Sequence, residues 1–122
     1  MRNIKLGTIV MAVVFCVGML VAPRLTPPAA AYDEAATKAL YDEKCAKCHG
    51  LTGKGDGKKA KTLKKKPRDY TDKVKMAEFT DQELIDQTKE GKKPMPSYGS
   101  GRNQLTDAQI ADLITYIRSF AQ

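Results

Sequence analysis

Cys45-Ala-Lys-Cys48-His49 packs two cysteines and the chain's only histidine into five residues, with Gly53, Gly55 and Gly57 close behind. Few chemistries use cysteines this close together. A zinc site needs four ligands in a tetrahedron; no second pair stands elsewhere in residues 32–122, and adjacent Cys48 and His49 would chelate awkwardly. A thioredoxin-like dithiol belongs in a βαβ setting, which this sequence does not offer. A plain disulfide would close only a tiny loop, which stabilises little, and would leave His49 unexplained.

Covalent attachment of haem uses all three residues. Two thiols add across the two vinyl groups of a porphyrin, and the histidine directly after the second cysteine is held under the iron as its proximal ligand. The glycines that follow superficially resemble a phosphate-binding loop, but such a loop follows a strand and opens a helix. A sharp turn beside a flat cofactor explains them better, because glycine tolerates positive φ and close approach.

The 122 residues have room for one small domain. The first third reads as something else. Arg2 and Lys5 precede a run from Leu6 to Ala22 without a charged residue, and Ala29-Ala30-Ala31 supplies an A-x-A pattern. This is the layout of a secretory signal peptide, residues 1–31, with cleavage expected after Ala31. The competing reading is an uncleaved membrane anchor, although the run is short of the roughly 20 residues that span a bilayer. Cys16 lies inside this run behind the large Phe15. It reads as a buried hydrophobe that leaves with the signal.

The formal net charge is +7. Removing residues 1–31, with Arg2, Lys5 and Arg24 and no acid, leaves 18 Lys+Arg against 14 Asp+Glu, a charge of +4 over residues 32–122. The mean hydropathy of −0.44 includes the apolar segment, so the remaining domain is more polar still. It has no tryptophan and few large apolar residues. Domains this small and polar usually need a disulfide, a metal or a cofactor to complete the core.

Residues 32–122 read as all-α. Ala35 to Cys45 carries helix formers with Leu40 and Tyr41 as its bulky members. Residues 50–75 are rich in Gly and Lys and read as a long functional loop, with one short helix near Ala60 to Leu63. Thr80-Asp-Gln-Glu83 and Thr106-Asp-Ala-Gln109 are capping-box patterns. The first opens a helix from about Asp81 to Glu90, stopped by Gly91, with Leu84 and Ile85 inward. Behind the second, Ile110, Leu113, Ile114 and Ile117 repeat at i, i+3, i+4 and i+7, one face of an amphipathic helix. Lys54 to Arg68 holds eight basic residues and one acid, Asp56. A charge run is usually a solvated face, and without stacking aromatics or a recognition motif it does not point to nucleic acid.

"CAKCHGLTGKGDG", then "KPRDYTD", then "KKPMPSYG", then a terminal helix ending "LITYIRSF" together resemble a class I cytochrome c, above all the short bacterial single-haem c-type domains. The resemblance covers nearly all of residues 33–121. It implies three to five helices wrapped around one covalently bound haem c, with first and last helices crossing. It also implies His/Met ligation and electron transfer.

Bis-histidine ligation within the chain is impossible with one histidine. Residues 32–122 hold two methionines, Met76 and Met95. Met76, just before a capped helix, reads as an apolar residue packing the haem edge or the core. Met95 stands between Pro94 and Pro96, which bias Lys93 and Met95 out of helix and leave the loop few states to lose. The resembled family carries its methionine in the same P-M-P setting, so Met95 is the expected sixth ligand; a five-coordinate iron is the alternative. Arg68 and Tyr70 could hydrogen-bond a propionate, as similar positions do in relatives, or be a solvated arginine and a packed tyrosine. Tyr116 is expected to pack against the first helix around Leu40 and Tyr41.

These readings converge on a periplasmic one-electron carrier whose partners are acidic surfaces of redox proteins. No small-molecule substrate is expected, and membrane contact arises only if the N-terminal segment is retained. Two alternatives stand beside it. One is a haem enzyme or gas-binding protein with an open sixth position, which would want a distal acid or base that no second histidine supplies. The other is the same domain docked permanently to a larger redox complex.

Overall fold

The computed structural model describes residues 31–122. The expected signal segment, with Cys16, lies up to residue 30 outside the described residues. Among the described residues there are five α-helices and two 3₁₀ turns, and no strand. The helices are α1 (Glu34–Lys44), α2 (Ala46–His49), α3 (Lys73–Ala77), α4 (Asp81–Glu90) and α5 (Asp107–Ser119). None is long and apolar enough to cross a membrane.

Local chemistry sets most helix starts. The Asp33 side chain accepts from the Ala36 N–H at 3.0 Å and caps α1. Both capping boxes form: Thr80 and Glu83 bond reciprocally at the start of α4, and Thr106 and Gln109 at the start of α5. α4 spans the bounds read from the sequence and ends at Gly91, where φ is +73°.

The core lies where α5 meets α1 and α4. Ile110, Leu113, Ile114 and Ile117 are all buried on the inward face of α5, each worth at most roughly 1.5–3 kcal/mol of transfer free energy. Leu84 is buried from α4, while Ile85 is only half-buried beside it. Tyr41 is fully buried between Tyr116 and Phe120, with ring centroids 5.3 and 5.5 Å away. Tyr116 therefore packs against the first helix, as expected.

The long segment after α2 is more structured than its composition indicates. The short helix expected at Ala60 to Leu63 is a 3₁₀ turn over Lys58–Thr62. α3 was not legible at all. Its five residues are held by an Asp72 cap and by Arg118 of α5, whose guanidinium bonds the Met76 and Phe79 carbonyls and Asp81. An arginine spending its donors on two backbone carbonyls closes α3 and the start of α4 onto α5.

Candidate haem site

Cys45, Cys48 and His49 come from one turn of chain at the α1–α2 junction. Cys45 ends α1, its N–H bonding the Tyr41 carbonyl at 2.8 Å, and it also begins α2. Two tyrosine hydroxyls from elsewhere hold this unit. Tyr41 donates to the Gly50 carbonyl at 2.8 Å, and Tyr98 donates to the Lys44 carbonyl at 2.9 Å.

The glycines behind the motif make the close approaches expected of them, but against the protein's own backbone and the Phe120 ring. Gly57 lies so close to α2 that a Cβ there would sit 2.5 Å from the Lys47 carbonyl oxygen and 2.6 Å from that of Ala46. Any side chain at residue 57 would push the loop off the haem motif. At Gly55, φ is +72°, and a Cβ would meet the Pro67 carbonyl oxygen at 2.5 Å. The backbone returns the contact: Gly55 N–H bonds the His49 carbonyl at 2.8 Å and Gly57 N–H that of Cys48 at 3.1 Å.

The His49 Nδ1 faces the Arg68 carbonyl oxygen at 3.3 Å. A carbonyl only accepts, so Nδ1 carries the proton and Nε2 keeps its lone pair. Burial drives the imidazole pKa below its ordinary value, against the opposing Arg68 bond. The ring is neutral near pH 7, and its unprotonated Nε2, which has the Tyr70 hydroxyl 3.3 Å away, keeps the lone pair a metal ligand needs. Burial, with Cys48 nearby, pushes the Cys45 thiol up to about 12. A thiol so reluctant to ionise is unlike the low-pKa cysteines of redox dithiols. Among the described residues no group of three or more His, Cys, Asp or Glu side chains could hold a bare metal ion.

Met95 reaches the same place from the loop that follows α4. Lys92 and Met95 exchange backbone hydrogen bonds of 3.1 and 2.8 Å around a tight turn through cis-Pro94. The segment after it is pinned to the end of α4 by Tyr98 N–H to the Thr88 carbonyl at 3.1 Å and Gly99 N–H to that of Lys89 at 2.9 Å. Both Met95 and the Cys-x-x-Cys-His residues line one cavity of about 440 Å³. Its apolar wall is built by Leu84, Leu113, Ile114 and Ile117. That volume is in the range of small-molecule and cofactor sites, roughly 300–1,000 Å³. Met76 is 1% exposed and is not part of this wall. Two thiols, one neutral imidazole, a thioether and an apolar slot fit a covalently held haem.

The cytochrome c family profile matches residues 34–121. The chain belongs to the cytochrome c family. It is 36% identical over 112 residues to cytochrome c6 of Rippkaea orientalis, a match covering 92% of this chain and 93% of the relative. Among solved structures it resembles the KustC0563 c-type cytochrome, with a TM-score of 0.59 and 26% identity over 70% of this chain and 98% of that one. This cytochrome therefore carries one covalently bound haem c and is an electron carrier rather than an enzyme, which sets aside the open-site enzyme.

Arg68 and Tyr70 also line the cytochrome's cavity. Arg68 is half-buried, its guanidinium 3.8 Å above the Phe79 ring and bonded to Gln87 Oε1 at 3.1 Å. Tyr70 is buried and stacks on His49, with centroids 4.5 Å apart and planes 10° from parallel. The tyrosines that secure the motif, Tyr41 and Tyr98, gave no functional signal in the sequence. The cavity is rimmed by eight basic residues, among them Lys44, Lys65, Lys66 and Lys93, against one acid, Glu78.

Proposed function

We propose that this cytochrome is exported by residues 1–31 and works in the periplasm as a soluble single-haem carrier of one electron. Cys45 and Cys48 form the thioethers, and His49 and Met95 are the axial ligands. The observation that carries the reading is the shared cavity: both cysteines, the histidine and Met95 line it, and Met76 does not. When bound, haem c supplies the one-electron ferrous/ferric couple, and His/Met ligation is the pairing that raises the potential in cytochromes c generally.

The protein's own contribution is positional and electrostatic. The Arg68 carbonyl keeps Nδ1 protonated and so leaves Nε2 unprotonated, and the Lys92–Met95 turn holds the thioether at the cavity. The α5 isoleucines and leucine exclude water. The basic rim attracts acidic surfaces on redox partners and raises the rate of productive encounter.

A visible spectrum tests the ligation. The reduced protein should be low-spin and form no carbon monoxide adduct at neutral pH; strong adduct formation would show an open sixth position. Docking is tested by reversing Lys64, Lys65 and Lys66, all exposed, to Glu. Reduction by an acidic partner should slow roughly tenfold or more at low ionic strength and lose most of its salt dependence, while the potential moves little. A variant as fast as wild type at low salt would reduce the run to a solvated face.

A further inference from the structure

We infer that Ser97 is a positioning residue whose hydroxyl latches the Met95 loop onto the end of α4 and so sets how often the thioether lets go of the iron. The inference rests on the proposal that Met95 is an axial ligand.

The last four carbonyls of a helix have no partner inside it and must find donors elsewhere. α4 ends at Glu90, so its carbonyls from Gln87 onward are in that position. The Gly91 N–H donates to the Gln87 carbonyl at 2.9 Å. The next two are met by the chain beyond the methionine. Tyr98 N–H donates to Thr88. The Lys89 oxygen, with two lone pairs, accepts from both the Gly99 N–H and the Ser97 hydroxyl. The Met95 loop is therefore the cap of α4, and a tie lost by one loosens the other.

Ser97 makes the first of these ties after the methionine. Pro94 and Pro96 carry no N–H, and that of Met95 is spent on Lys92 within the turn. The two segments are also shaped for contact. A Cβ on Gly91 would sit 2.6 Å from the Ser97 nitrogen, and one on Gly99 would sit 3.0 Å from the Lys89 oxygen. Pro96 and Tyr98 line the cavity, but the half-buried Ser97 between them does not. Its bond to α4 thus stands outside the space that haem fills. When that bond opens, the nearest tie from Met95 forward to α4 is at Tyr98, three residues on. Local openings of this kind are governed by the bonds of the opening segment rather than by the stability of the whole domain.

Ferric holoprotein mixed rapidly with imidazole reads the opening directly. The added ligand enters only after the thioether leaves, so the observed rate rises with imidazole and levels off at the rate of methionine loss. We expect Ser97→Ala to raise that plateau roughly two- to tenfold, the effect of one net hydrogen bond, and Ser97→Thr to restore it. Met76→Ala, which weakens the domain as a whole, should leave the plateau in place. Hydrogen exchange at the Tyr98 and Gly99 amides should quicken in Ser97→Ala by a similar factor, with α5 amides unchanged. An unmoved plateau in Ser97→Ala overturns the inference, as does an equal rise in Ser97→Thr or in Met76→Ala. Failure of the underlying proposal looks different: wild-type ferric protein would lack the sulfur-to-iron charge-transfer band, and its uptake of imidazole would rise linearly with no plateau.

Discussion

Met95→Ala is expected to lower the reduction potential and open the iron to added ligands. A thioether favours ferrous iron. A preference on the order of 100-fold, at about 59 mV per tenfold for one electron, makes the fall about 120 mV. The weak sulfur-to-iron charge-transfer band of the oxidised protein should vanish, and the reduced variant should begin to bind carbon monoxide. Met76→Ala is the matched control. Met76 is buried away from the cavity wall, so its truncation should leave band and potential in place and cost roughly 2–5 kcal/mol of stability. Potentiometry and thermal unfolding on the two variants give opposite patterns if Met95 is the ligand. The reverse pattern would move the role to Met76.

The second large effect is on folding. A chain with Cys45 and Cys48 both replaced by Ala cannot attach haem through thioethers, and should show little fixed tertiary structure. Leu84, Leu113, Ile114 and Ile117 face a space of about 440 Å³. Left unfilled, it would cost on the order of 10 kcal/mol at roughly 24 cal/mol per Å³. That is an upper bound, because the mouth is wet, yet it rivals the roughly 5–15 kcal/mol net stability of an ordinary domain. Near-ultraviolet circular dichroism should be featureless, with helical signal partly retained. A cooperative unfolding transition of a fully helical haem-free chain would overturn the expectation.

What could be read from the sequence was what neighbours along the chain decide. The capping boxes at Thr80 and Thr106 are four-residue patterns, and the α5 face repeats within two turns, so α4 and α5 were legible to their starts. The haem motif was legible because its chemistry fits within five residues. α3 was not, since Lys-Val-Lys-Met-Ala has no apolar period and its stabilising arginine lies on α5, at Arg118. The Tyr70 stack and the Tyr98 bond to Lys44 were hidden for the same reason. A tyrosine's partner is chosen by the fold, and neither residue stands near His49 or Cys45 in the chain. The basic rim was half visible: Lys65 and Lys66 belong to an obvious run, whereas Lys44 and Lys93 join them only in space.

Tyr98 joins two parts of the molecule that a change of iron oxidation state would otherwise be free to move independently. Its hydroxyl holds the end of α1 beside Cys45, and its backbone N–H holds the Met95 loop to α4. An electron crosses fastest when nuclei already sit close to the geometry both charge states prefer. With the cysteine side and the methionine side fastened through one residue, the distance between them has little freedom to relax after transfer. With iron held by His49 and Met95 as proposed, such a scaffold would keep the reorganisation energy low, and Tyr98 supplies one of its fastenings.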